Sequence, residues 1–340
     1  MKIAIYGAGS LGIILGAYLT KGGIPVDLVN RNISQVEALR KNGAQVIGSV
    51  AFSVPVSAML PEEMQGPYDI IFLMTKQLQN DQVVTSLKPL LGEKGILCTM
   101  QNGLPERGIA KILKEERVLG CTIAWGATLQ GPGISQLTSE PDTLTFSLGG
   151  VNRKKDDPLL QEVKHILEKM GPVEIEENFL GARWVKLLVN SAFSGMASVL
   201  GCTFGEVSQN KEARLCAQQI IKECIEVANK ANIVIEPIQG KDIVKLFDYH
   251  SKLKQRISFI LIPLAMKKHN GLKPSMLQDI EAGKPCEIDA INGVVCNYGK
   301  EVQVPTPYND LVVEIIHGFE QGKGKPGFDN LIRFNELKEK

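Results

Sequence analysis

Residues 3–12 read IAIYGAGSLG, a short apolar strand that runs directly into three glycines with the spacing GxGxxG. An apolar helix follows, so the motif stands between a strand and a helix, as in dinucleotide-binding domains. There the first glycine permits a tight turn, the second lets backbone approach a pyrophosphate, and the third lets the helix pack closely. The phosphates would lie at the helix N-terminus. We expect an α/β fold with an N-terminal Rossmann-type domain, whose cofactor contacts are Gly7, Gly9, Ser10, Leu11 and Gly12.

The second predicted strand ends at Asn30 and Arg31, which bear on the choice of cofactor. A site for the unphosphorylated cofactor usually has an acid here that bonds the ribose 2′-hydroxyl, whereas an arginine accommodates a 2′-phosphate. Asn30 brings no repelling charge and Arg31 brings an attracting one. The sequence therefore favours NADP over NAD, although Arg31 could instead be a solvated loop cation.

Two further predicted strands end in polar residues. Residues 69–74 run into Thr75 and Lys76, and residues 95–100 run into Gln101, Asn102 and Gly103. Ligands collect beyond the carboxyl ends of the strands in open α/β sheets. Lys76 and Asn102 are therefore candidate neighbours of the nicotinamide ribose and of the substrate. Each could instead belong to an ordinary loop, since Asn-Gly is a common turn dipeptide.

The rest of the chain divides into strands followed by helices. Residues 34–37 predict a capping box that opens a helix closed by Gly43, and residues 118–150 predict antiparallel strands at the sheet edge. After residue 177 the strand patterns stop. We expect a Rossmann domain over 1–177, an all-helical domain over 178–325 and a C-terminal tail over 326–340. The predicted helices of the second domain are 205–231, 240–266, 275–282, 286–298 and 309–319.

The helix predicted over residues 179–200 carries a polar stripe. Lys186, Asn190 and Ser194 recur at every fourth position among apolar residues. Because fourth neighbours drift only about 40° around an α-helix, the three share one face. A buried lysine costs free energy unless its polar neighbours pair with it. The stripe is therefore either a satisfied structural network or one wall of a ligand cleft.

Composition excludes several classes of partner. The 38 Lys and Arg residues nearly cancel the 37 Asp and Glu residues, so neither nucleic acid nor an anionic membrane would attract the chain broadly. The N-terminus lacks a signal-peptide pattern, and the longest apolar run, 257–266, is too short to span a bilayer. Seven scattered cysteines and four scattered histidines predict reduced core thiols and no metal site. We expect a soluble, cytoplasmic protein, and its apolar helices are compatible with a homodimer.

Taken together, the motifs resemble those of the ketopantoate reductase family, the 2-dehydropantoate 2-reductases. The resemblance covers nearly the whole chain, through the stretches GAGSLG, LMTK, QNG, KLLVN and SMLQDIEAGKPCEIDAING. It rests on their order and spacing, since no single motif is specific. It implies a Rossmann domain followed by a helical domain like that of 6-phosphogluconate dehydrogenase, with the active site between them.

The resemblance also implies a reaction and roles for residues. NADPH would deliver hydride to the C2 carbonyl of a small 2-oxo acid, and ketopantoate would become pantoate in pantothenate biosynthesis. The family's catalytic lysine falls on Lys186, which would act as general acid, and its glutamate falls on Glu287. The glutamate could instead cap the helix that follows it. The other roles implied are substrate binding by Asn190, Ser275 and Asn102, and cofactor binding by Lys76, Asn102 and Arg31.

One position departs from the family. The lysine helix of the family typically carries a second asparagine four residues after the first, where it helps to bind the substrate's hydroxyl. Here that position is Ser194, another candidate substrate-binding residue, which is shorter and has no amide. The substrate could therefore be another 2-oxo acid. A related two-domain dehydrogenase and a non-catalytic NADP-sensing protein are the alternatives, although a sensor would be expected to lose Lys186.

Overall fold

The computed structural model of the protein describes residues 1–237 and 242–337. The chain separates into two units. Unit 1 comprises Met1–Gln101 and Pro105–Phe179, and unit 2 comprises Asn102–Leu104 and Leu180–Lys340. The helix start predicted at Gly240 and the last three residues of the predicted tail lie outside the described residues.

Unit 1 is an α/β domain, as predicted. Its strands are β1 Ile3–Tyr6, β2 Asp27–Val29, β3 Ala44–Gly48, β4 Phe52–Val54, β5 Ser57–Met59, β6 Tyr68–Leu73, β7 Leu91–Thr99, β8 Val118–Ile123, β9 Ala127–Gly131, β10 Ile134–Leu137, β11 Phe146–Gly149 and β12 Val173–Ile175. Its helices are α1 Ser10–Lys21, α2 Ile33–Asn42, α3 Asn80–Leu87, α4 Glu106–Leu113 and α5 Pro158–Leu167.

The main sheet has the strand order β12-β11-β8-β7-β6-β1-β2-β5. Strands β5, β2, β1, β6, β7 and β8 are parallel, and β11 joins β8 antiparallel. From β1 the chain first builds the sheet through β2 to β5 and then returns to the other side of β1 with β6. The order therefore reverses between β1 and β6, which is where doubly wound sheets bind dinucleotides.

The central strands are apolar throughout because both faces of the sheet are covered. In β1, Ile3 and Ile5 belong to one core cluster, and Ala4 and Tyr6 belong to the cluster on the opposite face. Successive side chains of a strand point to opposite faces, so a strand buried on both sides reads as a continuous apolar run. This explains the sequence IAIY ahead of the glycines.

Two predictions for unit 1 were wrong in detail. Strands β9 and β10 do not extend the main sheet; they form a second sheet of order β4-β3-β10-β9, which packs on α1. The helix predicted to open with a capping box at Ser34 begins earlier, at Ile33. Its N-cap is Asn32, whose side chain accepts a hydrogen bond from the backbone N–H of Gln35. Gly43 ends this helix with a positive φ of 73°, as expected.

The described part of unit 2 is helical throughout, which confirms the predicted class of the second domain. Its helices are α6 Phe179–Val189, α7 Met196–Leu200, α8 Phe204–Gln209, α9 Lys211–Lys230, α10 Ile243–Phe247, α11 Lys252–Met266, α12 Ser275–Glu281, α13 Asn292–Val302, α14 Pro307–Glu320 and α15 Leu331–Asn335. None of the helices found in the described ranges has the length and apolarity that a bilayer crossing requires.

Side-chain caps interrupt two of the helices predicted for unit 2, those over 205–231 and 240–266. Asn210 separates α8 from α9, because its side chain accepts hydrogen bonds from the backbone N–H groups of Glu212 and Ala213. Ser251 caps α11 in the same way, through the N–H of Lys254.

All seven cysteines are buried free thiols, which confirms the prediction that they are core thiols.

The helix predicted over 179–200 is not a regular α-helix. After α6 the backbone forms a π-helical turn over Asn190–Gly195 and then returns to α-helix as α7. A π-helix has i→i+5 hydrogen bonds, and such turns are frequent at functional sites. The four-residue spacing of the polar stripe therefore crosses a change of helix type between Lys186 and Ser194.

Candidate functional site

The first glycine of the loop after β1 makes a turn that other residues could not make. Gly7 has φ of 110°, and a Cβ atom there would lie 2.7 Å from the backbone of Met74 and Thr75 at the end of β6. The N–H groups of Gly7 and Ala8 both donate to the carbonyl oxygen of Val29, at 3.0 and 2.9 Å. The loop is thereby held against the ends of β2 and β6, at the point where the sheet order reverses.

The second and third glycines have the two different environments that a dinucleotide site requires. A Cβ atom at Gly9 would meet nothing within 4 Å, whereas one at Gly12 would lie 2.4 Å from the carbonyl oxygen of Gly7. Helix α1 has no side-chain N-cap and no acidic residue in its first turn. Its first N–H groups have no partner within the helix, so they fit a pyrophosphate that approaches over Gly9.

The glycine loop is anchored by three polar side chains, a role that the sequence analysis did not predict for them. Asn30 Nδ2 and Gln35 Nε2 donate to the carbonyl oxygen of Ala8, at 2.8 and 3.1 Å. Gln35 Oε1 also accepts from the N–H of Gly133, at 3.1 Å. Ser135 Oγ donates to the carbonyl oxygen of Ser10, at 2.8 Å. The second sheet thus fixes the loop, and no local pattern marks residues so far apart in the chain.

The two cations predicted to bind cofactor lie on loops that touch each other. Arg31 Nη1 donates to Gln79 Oε1 at 3.0 Å, and Lys76 directly precedes the 3₁₀ turn that ends at Gln79. Both cations are exposed. Burial raises the pKa of the neighbouring Tyr6, and the Arg31 charge partly offsets that effect. The structure therefore places Arg31 and Lys76 beyond the carboxyl ends of β2 and β6, with Gln79 bonded to Arg31.

The segment Gln101-Asn102-Gly103 contributes to both units. Gln101 is buried and ties the end of β7 to the loop after β6, because its Nε2 donates to Thr75 O and Asn80 Oδ1, each at 2.8 Å. Asn102 belongs to unit 2 and is half-buried. Gln101 is thus structural, while Asn102 stands in the unit that carries the lysine helix.

Unit 2 carries the polar stripe and the other predicted substrate residues. Lys186 and Asn190 are half-buried, and Ser194 is 8% exposed within the π-helical turn. Asn190 and Ser194 both lie within the π-helical turn. Helix α12 begins at the exposed Ser275 and packs against the π-helical turn and α7.

Glu287 is buried at 8% exposure and precedes a 3₁₀ turn over Ile288–Ala290. Its side chain makes no capping hydrogen bond to that turn. The side chain of Glu287 therefore does not act as a hydrogen-bonding cap of that turn.

Comparison with known proteins decides the family. The model of the ketopantoate reductase PanE/ApbA domain matches residues 3–149, and the model of the ketopantoate reductase PanE/ApbA C-terminal domain matches residues 178–320. The chain belongs to the ketopantoate reductase family. It is therefore an oxidoreductase that acts on a CH–OH group, and the predicted family and fold class are confirmed.

The similar proteins agree with this assignment. The chain is 26% identical over 327 residues to a 2-dehydropantoate 2-reductase of Streptococcus pyogenes, which covers 94% of this chain and 98% of that protein. It is 29% identical over 324 residues to the enzyme of the same name from Pyrococcus horikoshii, with the same coverage.

Solved structures share the fold. D-mandelate dehydrogenase with NADH and anilino(oxo)acetate matches with a TM-score of 0.81 at 23% identity, and a ketopantoate reductase from Ralstonia eutropha matches with 0.80 at 22%. Both comparisons cover 95% of this chain and 99% of the other.

The contrast between Gly9 and Gly12 gives a matched pair of variants. Gly12→Ala should lower the free energy of unfolding by roughly 1–3 kcal/mol, because the new methyl group overlaps the Gly7 carbonyl. Gly9→Ala should leave the free energy of unfolding within about 0.5 kcal/mol. It should nevertheless weaken dinucleotide binding at least about tenfold, or roughly 1.4 kcal/mol, because the methyl group enters the space for the pyrophosphate.

Urea denaturation and fluorescence titration with NADPH and NADH measure the two effects separately. Normal dinucleotide binding by a folded Gly9→Ala variant would contradict the placement of the pyrophosphate over Gly9.

Proposed function

We propose that the protein uses NADPH to reduce a 2-oxo acid to a 2-hydroxy acid, and that its substrate is 2-dehydropantoate (ketopantoate). The observation that carries the proposal is the half-buried Lys186, which precedes Asn190 on the face of the helix leading into the π turn. Membership of the ketopantoate reductase family supports it. The named activity of the Streptococcus and Pyrococcus relatives supports the choice of substrate.

The bound nicotinamide cofactor would supply the hydride. In unit 1, the N–H groups at the start of α1 would bind the pyrophosphate, since Gly9 leaves that approach open. Arg31 would pair with a 2′-phosphate of the adenosine ribose. Lys76, on the neighbouring loop, would also bind the cofactor. These contacts use positive charge and backbone dipoles, which suit the cofactor's phosphates.

Lys186 would be the general acid. When hydride adds to the C2 carbonyl carbon, negative charge develops on the carbonyl oxygen, and an ammonium group beside that oxygen stabilises the charge and donates the proton. Asn190 would hold the substrate through its amide, and Ser275 would donate to the substrate carboxylate. Glu287 would orient Lys186 or accept a hydrogen bond from the substrate hydroxyl, and Asn102 would fix the ribose or Lys186.

Replacing the lysine tests its role. Lys186→Ala should lower kcat by about 10²- to 10⁴-fold, the range for loss of a general acid. NADPH affinity, measured by fluorescence titration, should stay within about threefold, because the phosphates bind elsewhere. Lys186→Arg is the matched control: it keeps a positive charge but has no proton to give at neutral pH. It should bind substrate better than Lys186→Ala while remaining slow. Wild-type turnover by Lys186→Ala would contradict the role of Lys186 as general acid.

Cofactor preference depends on Arg31. Arg31→Ala should raise the KM for NADPH by about tenfold or more, since a charge-assisted hydrogen bond contributes roughly 1.5–3 kcal/mol. The KM for NADH should change little. Lys41→Ala, which removes another exposed cation of unit 1, should change neither value. A wild-type enzyme that prefers NADH would refute the role of Arg31.

A second candidate substrate class is a bulkier 2-oxo acid. Two observations favour it: Ser194 replaces the family's asparagine, and the D-mandelate dehydrogenase structure is similar over nearly the whole chain. The corresponding oxo acid of mandelate is phenylglyoxylate, which has no far hydroxyl for an amide to bind. A serine at this position would suit such a substrate better than it suits ketopantoate.

A substrate panel with an asparagine variant separates the two classes. NADPH and NADH oxidation is followed with ketopantoate, phenylglyoxylate and other branched 2-oxo acids. Ser194→Asn should raise the ratio of kcat/KM for ketopantoate over phenylglyoxylate by about tenfold, because one well-placed hydrogen bond to a substrate hydroxyl discriminates at least that strongly. Ser194→Ala should not raise it. Reduction of none of the acids by the wild type would favour a non-catalytic sensor.

A further inference from the structure

A hydrogen-bonded network of buried polar side chains reaches the π-helical turn. The proposed chemistry uses none of these side chains. Asn292 and Asn309 are completely buried, and Glu223 is 7% exposed. They belong to three different helices, α13, α14 and α9. Polar groups this deep in a helical core are costly unless each finds a partner.

Hydrogen bonds connect the carboxylate to the turn through the two amides. Glu223 Oε1 accepts from the N–H of Tyr308 at 2.8 Å, and Oε2 accepts from the N–H and the Nδ2 of Asn309 at 3.0 and 2.7 Å. Asn309 Oδ1 accepts from Asn292 Nδ2 at 3.0 Å. The same Nδ2 donates to the carbonyl oxygen of Ser191, in the π-helical turn, at 3.1 Å.

The carboxylate sets the orientation of both amides. Both oxygens of Glu223 accept hydrogen bonds here, so Asn309 presents its NH₂ group to Glu223 and its oxygen to Asn292. Asn292 must then present its own NH₂ group to Asn309, and that group also reaches Ser191 O. Reversing either amide would leave two acceptors or two donors facing each other. The network therefore orients the Asn292 NH₂ group so that it donates to the backbone of the turn.

Packing brings the same asparagine against the turn at a second point. A Cβ atom at Gly195 would lie 2.7 Å from Asn292 Oδ1 and 3.1 Å from its Nδ2. Only a glycine leaves room for the amide there. Asn292 thus contacts the π-helical turn near both of its ends, and a side chain inserted against the hydrogen-bond ladder is a known cause of irregular helix geometry.

The electrostatics show that the network is maintained against a cost. Burial raises the pKa of Glu223 to about 7, the three donors from Tyr308 and Asn309 act in the opposite direction, and Asp310 adds to the rise. Well-packed apolar residues would often be at least as stabilising as buried charge. A buried polar network of this kind can fix the geometry of the elements that it joins.

We infer that Glu223, Asn309 and Asn292 are positioning residues that hold the π-helical turn in place and so direct Asn190 and Ser194 toward the substrate. The inference rests on the proposed function, in which the stripe on this helix binds the 2-oxo acid. These three residues would add to that function a buried support for the turn from α9, α13 and α14.

Asn292→Leu tests the inference, because leucine is similar in size and has no donor. The KM for the 2-oxo acid should rise about 10- to 100-fold, as expected for misplacement of substrate-positioning groups. The Kd for NADPH should stay within about twofold, since dinucleotide binding belongs to unit 1. Glu223→Gln keeps the shape but turns one acceptor into a donor. It should therefore give a smaller rise in KM, and it serves in place of Asn292→Leu if that variant fails to fold.

Gln218→Leu is the matched control. Gln218 lies on the same helix as Glu223, is completely buried, and its Nε2 donates to Gln255 O and Ser258 Oγ at 2.8 and 2.6 Å. It thus links α9 to α11 and not to the π-helical turn. Its loss should lower Tm by a similar amount while the KM for the 2-oxo acid stays within about twofold. Equal rises in KM for both variants would overturn the inference.

A readout independent of activity separates this inference from the proposed function. Hydrogen exchange, followed by mass spectrometry on the peptide spanning residues 186–200, should be at least about tenfold faster in Asn292→Leu than in wild type, and unchanged in Gln218→Leu. Unchanged exchange in Asn292→Leu would refute the support of the turn. If exchange changes as expected but wild type reduces no 2-oxo acid, the proposed function fails and the structural support of the turn stands.

Discussion

Helix α1 approaches strand β1 so closely that a Cβ atom at Gly12 would lie 2.4 Å from the carbonyl oxygen of Gly7. This contact fixes the start of the helix at the carboxyl end of β1, beside the point where the strand order reverses. Donors from Asn30, Gln35 and Ser135 occupy carbonyl oxygens of the loop. The N–H groups of the first helical turn can then bind an anion, as the pyrophosphate of a dinucleotide requires.

A different constraint organises unit 2. Its core is built from apolar helix faces, yet buried carboxylates, two buried asparagines and a π-helical turn lie within it. Lys186 and Asn190 stand at the α-to-π junction, so the site proposed for the 2-oxo acid sits on an irregular piece of helix. Irregular backbone needs support from elsewhere in the fold. The amide of Asn292, oriented through Asn309 by Glu223, supplies it.

The sequence was informative where a feature is local. The three glycines, the strand ahead of them and the periodic Lys186 stripe each lie within one short segment, so spacing alone indicates them. The π-helical turn escaped prediction because its partner Asn292 lies 101 residues beyond Ser191. Ser135 likewise reaches the glycine loop from 125 residues away. At the start of α2, Asn32 and Ser34 are both suitable caps, and local pattern did not decide between them. The roles of the substrate residues, including Glu287 and Ser275, stay predictions.

If this chain moves hydride from NADPH to the C2 carbon of a 2-oxo acid, the transferred atom must appear in the product. The most direct measurement uses NADPH that carries deuterium on the transferred position at C4, with ketopantoate as substrate and mass spectrometry of the product. We predict one deuterium per molecule of pantoate, located at C2, with one NADPH consumed for each product formed. Consumption of NADPH without deuterium at C2, or no pantoate at all, would contradict it.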